Sequence, residues 1–475
     1  MFTIDQSKAN GYNEMLSPDG KLRPHYQNLC DRLQTIGTDE LLDRSKKIQQ
    51  QMVRQGITFQ LYSSTQTGER TIPFDIIPRI IPEKDWGILE AGLKQRAAAL
   101  NHFIYDVYHE QHFIRDGLIP RHRIVNSPYF LPEMVHVDVP LNVYIALSGI
   151  DIIRDEKGSY YVLEDNLRTP SGLSYVFKNR YLMMHYFPDL FFSSHVRSIE
   201  HGTQDLLTAF HDLAPNHKNN PVVVLLTPGR YNAAYFEHVF LAQQMGIDLV
   251  EGSDLRVEDQ KVYLNSIEGK KQVDVIYRRL DDNFLEPLDF NPNSVLGVAG
   301  LMNAYRAGNV AIANAPGSGV ADDKAVYTRV PDMIRYFLNE EPILKNVPTY
   351  RLRMKDERDF VLSQLDQMVI KQTSLSGGHG MLIGPQADQK TIEKFRTDIL
   401  AHPDRYIAQP TITLSSAPTL SGNSIENRHI DLRPFIIQGK KTTIIPGGLT
   451  RVALNRGSLV VNSSQGGGSK DTWIV

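Results

Sequence analysis

The stretch GIDIIRDEKGSYYVLEDNLRTPSG, residues 149–172, decides how this chain folds. Residues 149–154 carry strand-forming side chains, residues 155–158 carry turn formers, and residues 159–164 return as strand, so the segment reads as a β-hairpin. Glu164 and Asn166 are two apart on the returning strand and therefore share a face. A two- or four-residue turn within 155–158 predicts Val162 opposite Asp151, with Glu164 diagonal to Asp151 on the same side. Such diagonal neighbours lie about 7–8 Å apart, near enough for their oxygens to share one or two metal ions. Two carboxylates and an amide oxygen suit Mg²⁺, a hard cation that keeps several waters and takes its other ligands from substrate phosphates. The plain alternative is a polar edge hairpin with solvated acids.

Two segments further along add cations. In MVIKQTSLSGGHGM, residues 368–381, Lys371 lies on a strand that runs into a turn containing Gly377, Gly378, His379 and Gly380. An ammonium and several backbone N–H groups at such a turn can surround a triphosphate. It is not a Walker A loop, and no GxGxxG follows a strand and opens a helix. In NAPGSGVADDKAVY, residues 314–327, Lys324 falls at the start of a helix. Arg278 and Arg279 end a strand in VIYRRLDD and suit a carboxylate or a transferring phosphate. Arg168, Arg433 and Arg451 are similar candidates, and a surface ion pair is the ordinary alternative for each. His102, His109 and His112 share a helix, but HEQHF is not HExxH, and no GxSxG elbow is present.

The rest of the chain frames these motifs. At 475 residues two or three lobes are expected. Residues 1–125 read mostly as helix, with residues 73–82 a proline-punctuated extended segment and residues 86–111 one long helix. Residues 221–280 read as a small α/β lobe: a buried strand at 221–226, a helix at 232–245 stopped by Gly246, and a strand at 247–250. Residues 325–475 return to mixed α and β, with strands at 368–372, 405–415, 429–435 and 458–464. The C-terminal VVNSSQGGGSKDTW reads as an anion-binding turn or a loosely held tail. With 51 basic and 54 acidic residues the net charge is −3, which gives no general reason to expect nucleic acid or an anionic membrane as partner. Cys30 is alone, so neither an intramolecular disulfide nor a cysteine zinc site is available. The first residues lack an apolar core of the secretory kind, so a cytoplasmic setting is expected.

A strand acid, a short turn, then Glu-x-Asn before a small-residue loop resembles the metal-binding hairpin of ATP-grasp enzymes, closest to glutathione synthetase and glutathionylspermidine synthetase. In ordinary members the two nucleotide lysines precede that hairpin, whereas here Lys324 and Lys371 follow it. The chain is thereby identified as a member of the circularly permuted ATP-grasp family, type 2. The resemblance extends through residues 73–81, 93–108, 160–180, 314–324, 429–435, 446–454 and 461–473.

It implies a circularly permuted ATP-grasp fold of mixed α/β and α+β class. Its expected parts are a helical region at 1–130, a metal-binding part at 131–205, a Rossmann-like lobe at 206–318 and a nucleotide-binding part at 319–475. The resemblance also implies ATP and Mg²⁺ as cofactors. Asp151, Glu164 and Asn166 would hold the metal, Lys324 and Lys371 the phosphates, residues 377–380 would cover them, and Gln409 would border the adenine. The implied activity is amide-bond formation between small-molecule or peptide carboxylates and amines, through an acylphosphate and without nucleic acid or membrane. The alternatives are phosphoryl transfer to another acceptor, or a non-catalytic nucleotide-binding scaffold. Two departures stand out. Many relatives have Glu where this chain has Lys178. Ordinary hairpins often place an arginine two residues before the first acid, where this chain has Gly149. The catalytic arginine is therefore expected elsewhere, Arg168 first and Arg278 or Arg279 next.

Overall fold

The structure is a computed structural model that describes residues 11–475 except 63–66, 216–217, 268, 374–379, 423, 460 and 462–465, with backbone alone at 59–62 and 67–70. Gly377, Gly378 and His379 thus lie outside the described residues. The architecture is mixed α/β, as expected for a permuted ATP-grasp chain, and is built on a ten-stranded sheet. Its main path runs from Lys345–Asn346 through Tyr160–Asn166, Leu147–Arg154, Ser424–Arg433, Leu449–Val452 and Gly468–Ile474 to Phe74–Ile81.

The last two strands join the ends of the chain. Phe74–Ile81 is buried at every position, yet it contains Pro78, which lacks the N–H a central strand would need. It therefore occupies the end of the path, pairing with Gly468–Ile474 in a parallel ladder that slips between Lys470 and Thr472. Gly468–Ile474 is likewise buried throughout, which corrects the reading of this segment as a turn or loose tail. Its polar alternation misleads because the charges are paired inside the protein. The Lys470 ammonium donates to Asp75 Oδ2 at 2.6 Å and to the carbonyls of Ile77 and Pro418, and Arg180 Nε donates to Asp471 at 2.9 Å. Of the strand expected at 458–464, Ser458 and Leu459 lie outside any strand, and 460 and 462–464 are not described.

The long helix is Glu83–Tyr108, proline-free and buried along Leu89, Leu93, Leu100, Ile104 and Val107. It reaches the hairpin through Arg96, 1% exposed, whose Nε and Nη2 donate to Asp165 at 2.7 and 2.6 Å and whose Nη1 donates to Asn346 at 2.7 Å. Asp165 lies between Glu164 and Asn166 with its side chain on the opposite face, so this pair fixes the strand from behind. Replacing Arg96 by Met strands a buried carboxylate, and a loss of about 3–5 kcal/mol is expected in urea unfolding of the variant.

The small α/β lobe has four parallel strands in the order Ala311–Ala313, Val275–Arg278, Val223–Leu226, Asp248–Val250. Its helix is Tyr235–Met245, ended by Gly246 in the left-handed region at φ 67°, where glycine is favoured. A second sheet in the C-terminal part is antiparallel, ordered Tyr350–Arg351, Tyr406–Pro410, Met368–Gln372, Met381–Ile383, and it packs a separate core around Ile370, Leu365, Ile399 and Ala408. The strand expected over 405–415 ends at Pro410. Among the described residues no helix is long and apolar enough to cross a membrane.

Candidate functional site

The hairpin strands are Leu147–Arg154 and Tyr160–Asn166, and their register differs from the one expected. Arg154 faces Tyr160, so residues 155–159 form the connection, held by Asp155 Oδ1 accepting from the N–H groups of Lys157 and Ser159. That odd length alone would set Asp151 against Leu163 and turn Glu164 to the opposite face. A bulge between Val162 and Glu164 adds one residue and restores the parity, placing Glu164 directly opposite Asp151 and Asn166 opposite Gly149. Val162 faces Ile152, not Asp151. The shared face survives, by a different route.

Next to Asp151 runs Ser424–Arg433. Leu432 pairs with Ile152, and Phe435 of the following strand pairs with Gly149, which sets Arg433 across from Asp151. Asp431, two residues back on the same face, faces Arg451 of the next strand. Four neighbouring strands thus place Glu164, Asp151, Arg433, Asp431 and Arg451 on one surface. Arg433 Nε and Nη2 donate to the two oxygens of Asp151 at 2.6 and 2.9 Å, and Arg451 Nη2 adds a third bond at 2.8 Å. Arg451 also pairs with Asp431 through Nε at 2.8 Å. Burial pushes the Asp151 carboxyl up, but Arg433 and Arg451 outweigh it and hold the group well below the usual carboxylate range. Burial and the neighbouring Asp151 push Asp431 up, against Arg451.

Gly149 and Arg433 fit together. A Cβ on residue 149 would lie 3.1 Å from Arg433 Cδ and 3.3 Å from Cγ, so the guanidinium stem passes over the space that the glycine leaves open. Arg433 Nη1 also donates to Ser171 O at 3.1 Å. Three of the five N–H groups of its guanidinium are thereby used, and two remain.

The lysines arrive from the other half of the chain. Asp323 caps the helix Lys324–Tyr327 by accepting from Ala325 N, and Lys324 Nζ lies 2.9 Å from Glu164 Oε1. Lys371, on Met368–Gln372, donates to Gln409 Oε1 at 2.8 Å, and Gln409 donates onward to Thr349 at 3.0 Å. Burial pulls the Lys371 ammonium down; Glu164 and Asp151 oppose this and Lys324 adds to it, so all four charges share one field. Of the glycine turn, Gly380 is described, at φ 64°, and Met381 pairs with Lys371.

The other candidate arginines sit at the seam with the α/β lobe. Arg278 is wholly buried. Its Nε, Nη1 and Nη2 donate to the carbonyls of Asn314, Leu280 and Ala315, and Asp282 lies 2.8 Å away. Arg278 therefore shapes the 314–319 loop from behind, and Asn314 relays this to the hairpin by donating to Leu147 O and Leu167 O. Arg168 donates to Asp322 at 2.6 Å and Asp281 at 3.1 Å, with its guanidinium 4.2 Å over the Tyr129 ring. Arg279 donates to Pro170 O, Tyr277 Oη, Ser171 Oγ and Glu237. Glu237 in turn accepts from Gly172 N and Ser174 N, anchoring the start of helix Leu173–Tyr186. Lys178, on that helix, has its ammonium 5.1 Å from the Phe240 ring, and burial draws its pKa down.

The hairpin carries oxygen donors that could face a cation. Asn166 Nδ2 is buried with no hydrogen-bond partner among the described residues, and the two ends of an amide exchange by a simple flip. Glu164 is 27% exposed, and the three bonds to Asp151 leave one lone pair on its carboxylate. This set fits a hard divalent cation. Among the described residues no cluster of three or more histidine, cysteine or acidic residues is placed to hold a metal, so the hairpin offers only these few protein oxygens.

Comparison with known proteins places the chain. The model of the circularly permuted ATP-grasp type 2 family matches residues 78–453, and the chain belongs to that family. It is 48% identical over 468 residues to an uncharacterized protein of Synechocystis sp., covering 98% of this chain and 97% of that one. It is 39% identical to a candidate glutamate–cysteine ligase of Frankia alni, covering 99% of this chain but only 54% of the relative. The fold is shared with a glutathione synthetase-like effector from Globodera pallida, at TM-score 0.56 and 13% identity over 92% of this chain and 98% of that one.

Proposed function

We propose that the chain is an ATP-dependent carboxylate–amine ligase. Its family membership and its ligase-named relatives support an ATP-dependent ligase. The observation that carries the reading is the meeting of Lys324 and Lys371, from one half of the chain, with the Glu164–Asn166 edge from the other. In this reading Glu164 and Asn166 would hold Mg²⁺, with Asp151 offering its remaining lone pair. The ion, when bound, neutralises charge on the β- and γ-phosphates. Lys324 and Lys371 hold phosphate oxygens, and Gln409 positions the Lys371 ammonium.

A substrate carboxylate oxygen attacks the γ-phosphorus and ADP leaves, giving an acylphosphate. An amine then attacks the acyl carbon, phosphate leaves with the bonding pair, and the nitrogen loses a proton. Both steps are chiefly tasks of positioning and charge stabilisation. Arg433 replaces Arg168, Arg278 and Arg279 as the arginine for the oxyanion of the second step, because its two remaining N–H groups stand beside the hairpin.

The test is ADP release by purified protein given Mg-ATP with pooled acids and amines, followed by hydroxylamine. Acid-dependent ADP and a trapped acylhydroxamate are expected. ADP formation with a non-carboxylate acceptor and no hydroxamate would move the reading to phosphoryl transfer, and no ADP with any pool would sink it.

A further inference from the structure

Open parallel α/β sheets bind ligands outside the carboxyl ends of their strands, where neighbouring strands send their connections in opposite directions. In the small lobe that point lies between Val223–Leu226 and Val275–Arg278. The first strand continues through helix Tyr235–Met245 to Asp248–Val250, and the second leads to Ala311–Ala313 on the other side. The ladder continues just past the strand ends, where Thr227 N donates to Val250 O and Arg279 N donates to Leu226 O, each at 2.8 Å.

The floor of this crevice holds the Arg279 guanidinium, paired with Glu237. Arg279 is 5% exposed, and although both its Nη atoms are hydrogen-bonded, its Nε–H is buried without a partner among the described residues. One wall is the turn after Thr227. Gly229 takes φ 92°, and a Cβ there would lie 3.0 Å from Glu251 Oε1, so the turn is pressed against the end of Asp248–Val250. Beyond it, Arg230 is exposed, with its guanidinium 5.0 Å from the Tyr231 ring and donating to the Tyr231 hydroxyl at 2.9 Å. No carboxylate among the described residues forms an ion pair with Arg230, on which Glu251 acts only at longer range, whereas Arg168, Arg278 and Arg279 are all ion-paired. Tyr231 is 71% exposed, unusual for so large a ring. The crevice is joined to the hairpin by the strap 170–172, which Arg279 holds from one side and Arg433 from the other.

The geometry points to this crevice as the subsite of the amine substrate, which is an amino acid or small peptide bearing a free carboxylate. Arg230 receives that carboxylate in its fork, and Tyr231 covers the adjoining apolar part. Fixing the carboxylate at the lobe end directs the amine along the strap toward the acyl carbon beside Arg433. The assignment of the amine end rests on the ligase reading; the carboxylate contact does not.

The probe is a pool of the common amino acids with γ-glutamylcysteine and glutathione, set against the matched C-terminal amides. Binding to the full chain is read by saturation-transfer NMR in the presence of Mg²⁺ and a non-hydrolysable ATP analogue. At least one acid is expected to bind, its amide at least tenfold more weakly. Arg230→Ala should weaken the acid at least tenfold with an unchanged melting temperature, and Arg230→Lys should recover part of the loss. Equal binding of acid and amide, acid binding unchanged in Arg230→Ala, or no acid bound would each overturn the subsite. ADP formation is scored separately. Turnover whose KM for the amine is indifferent to Arg230 removes the subsite and keeps the ligase; Arg230-dependent binding without ADP does the reverse.

Discussion

Glu164→Gln is expected to lower ADP formation by about 10²–10³-fold, the scale seen when a preorganised charge-stabilising group is removed from a phosphoryl or acyl transfer site. Glutamine keeps the shape and one oxygen for Lys324, but removes the charge that faces both Lys324 and Lys371. Because Glu164 is partly exposed, the folding stability should change by only about 0.5 kcal/mol. Asp151→Asn is a poorer test. That side chain is 2% exposed and clamped by two arginines, so its neutralisation leaves guanidinium charge buried and is expected to cost about 3–5 kcal/mol of stability. The measurement is steady-state ADP release at saturating Mg-ATP, with urea unfolding of the same preparation. Unchanged turnover in a stably folded Glu164→Gln protein would remove the hairpin from the chemistry.

The hairpin was legible because period-two patterning makes any strand acid declare its face. Its register was not, since a bulge at Leu163 compensates an odd connection, and nothing in DEKGS or YYVLEDN announces either. The α/β lobe was legible from one apolar run, one glycine stop and one further strand, which are local signals. Gly468–Ile474 was misread for the converse reason. Its lysine and aspartate are satisfied by Asp75 and Arg180, partners some hundreds of residues away, and no local rule sees them. Arg278 ended a strand where a substrate could be met, but strand position does not say whether a guanidinium points outward. Asn314 and Ala315 turn it inward. Arg433 and Asp431 share a face in HIDLRPF, and that spacing was the available sign; what it could not give was the neighbouring strand. The vacancy at Gly149 acquires its meaning only when Arg433 is seen lying over it.

That pairing yields the second large effect. Arg433→Ala is expected to lower steady-state amide formation by about 10²–10³-fold while leaving a first-turnover burst of ADP, because the guanidinium acts on the oxyanion of amine addition. Asp151 keeps its bond to Arg451, so the stability loss should stay near 1–3 kcal/mol, the scale of a buried hydrogen-bonding group deprived of one partner. Lysine at 433 should rescue little, since a point charge on a flexible stem cannot span both oxygens of Asp151 and still present two N–H groups. Gly149→Ala tests the same idea without touching charge. A methyl 3.1 Å from Arg433 Cδ forces the stem aside, and the variant should show the same burst with slowed amide release, in milder form. Rapid-quench measurement of ADP and amide separates the outcomes. If Arg433→Ala loses the burst and the amide together, the arginine serves the phosphoryl step; if neither changes, Arg433 only balances Asp151, and the oxyanion is met by another group.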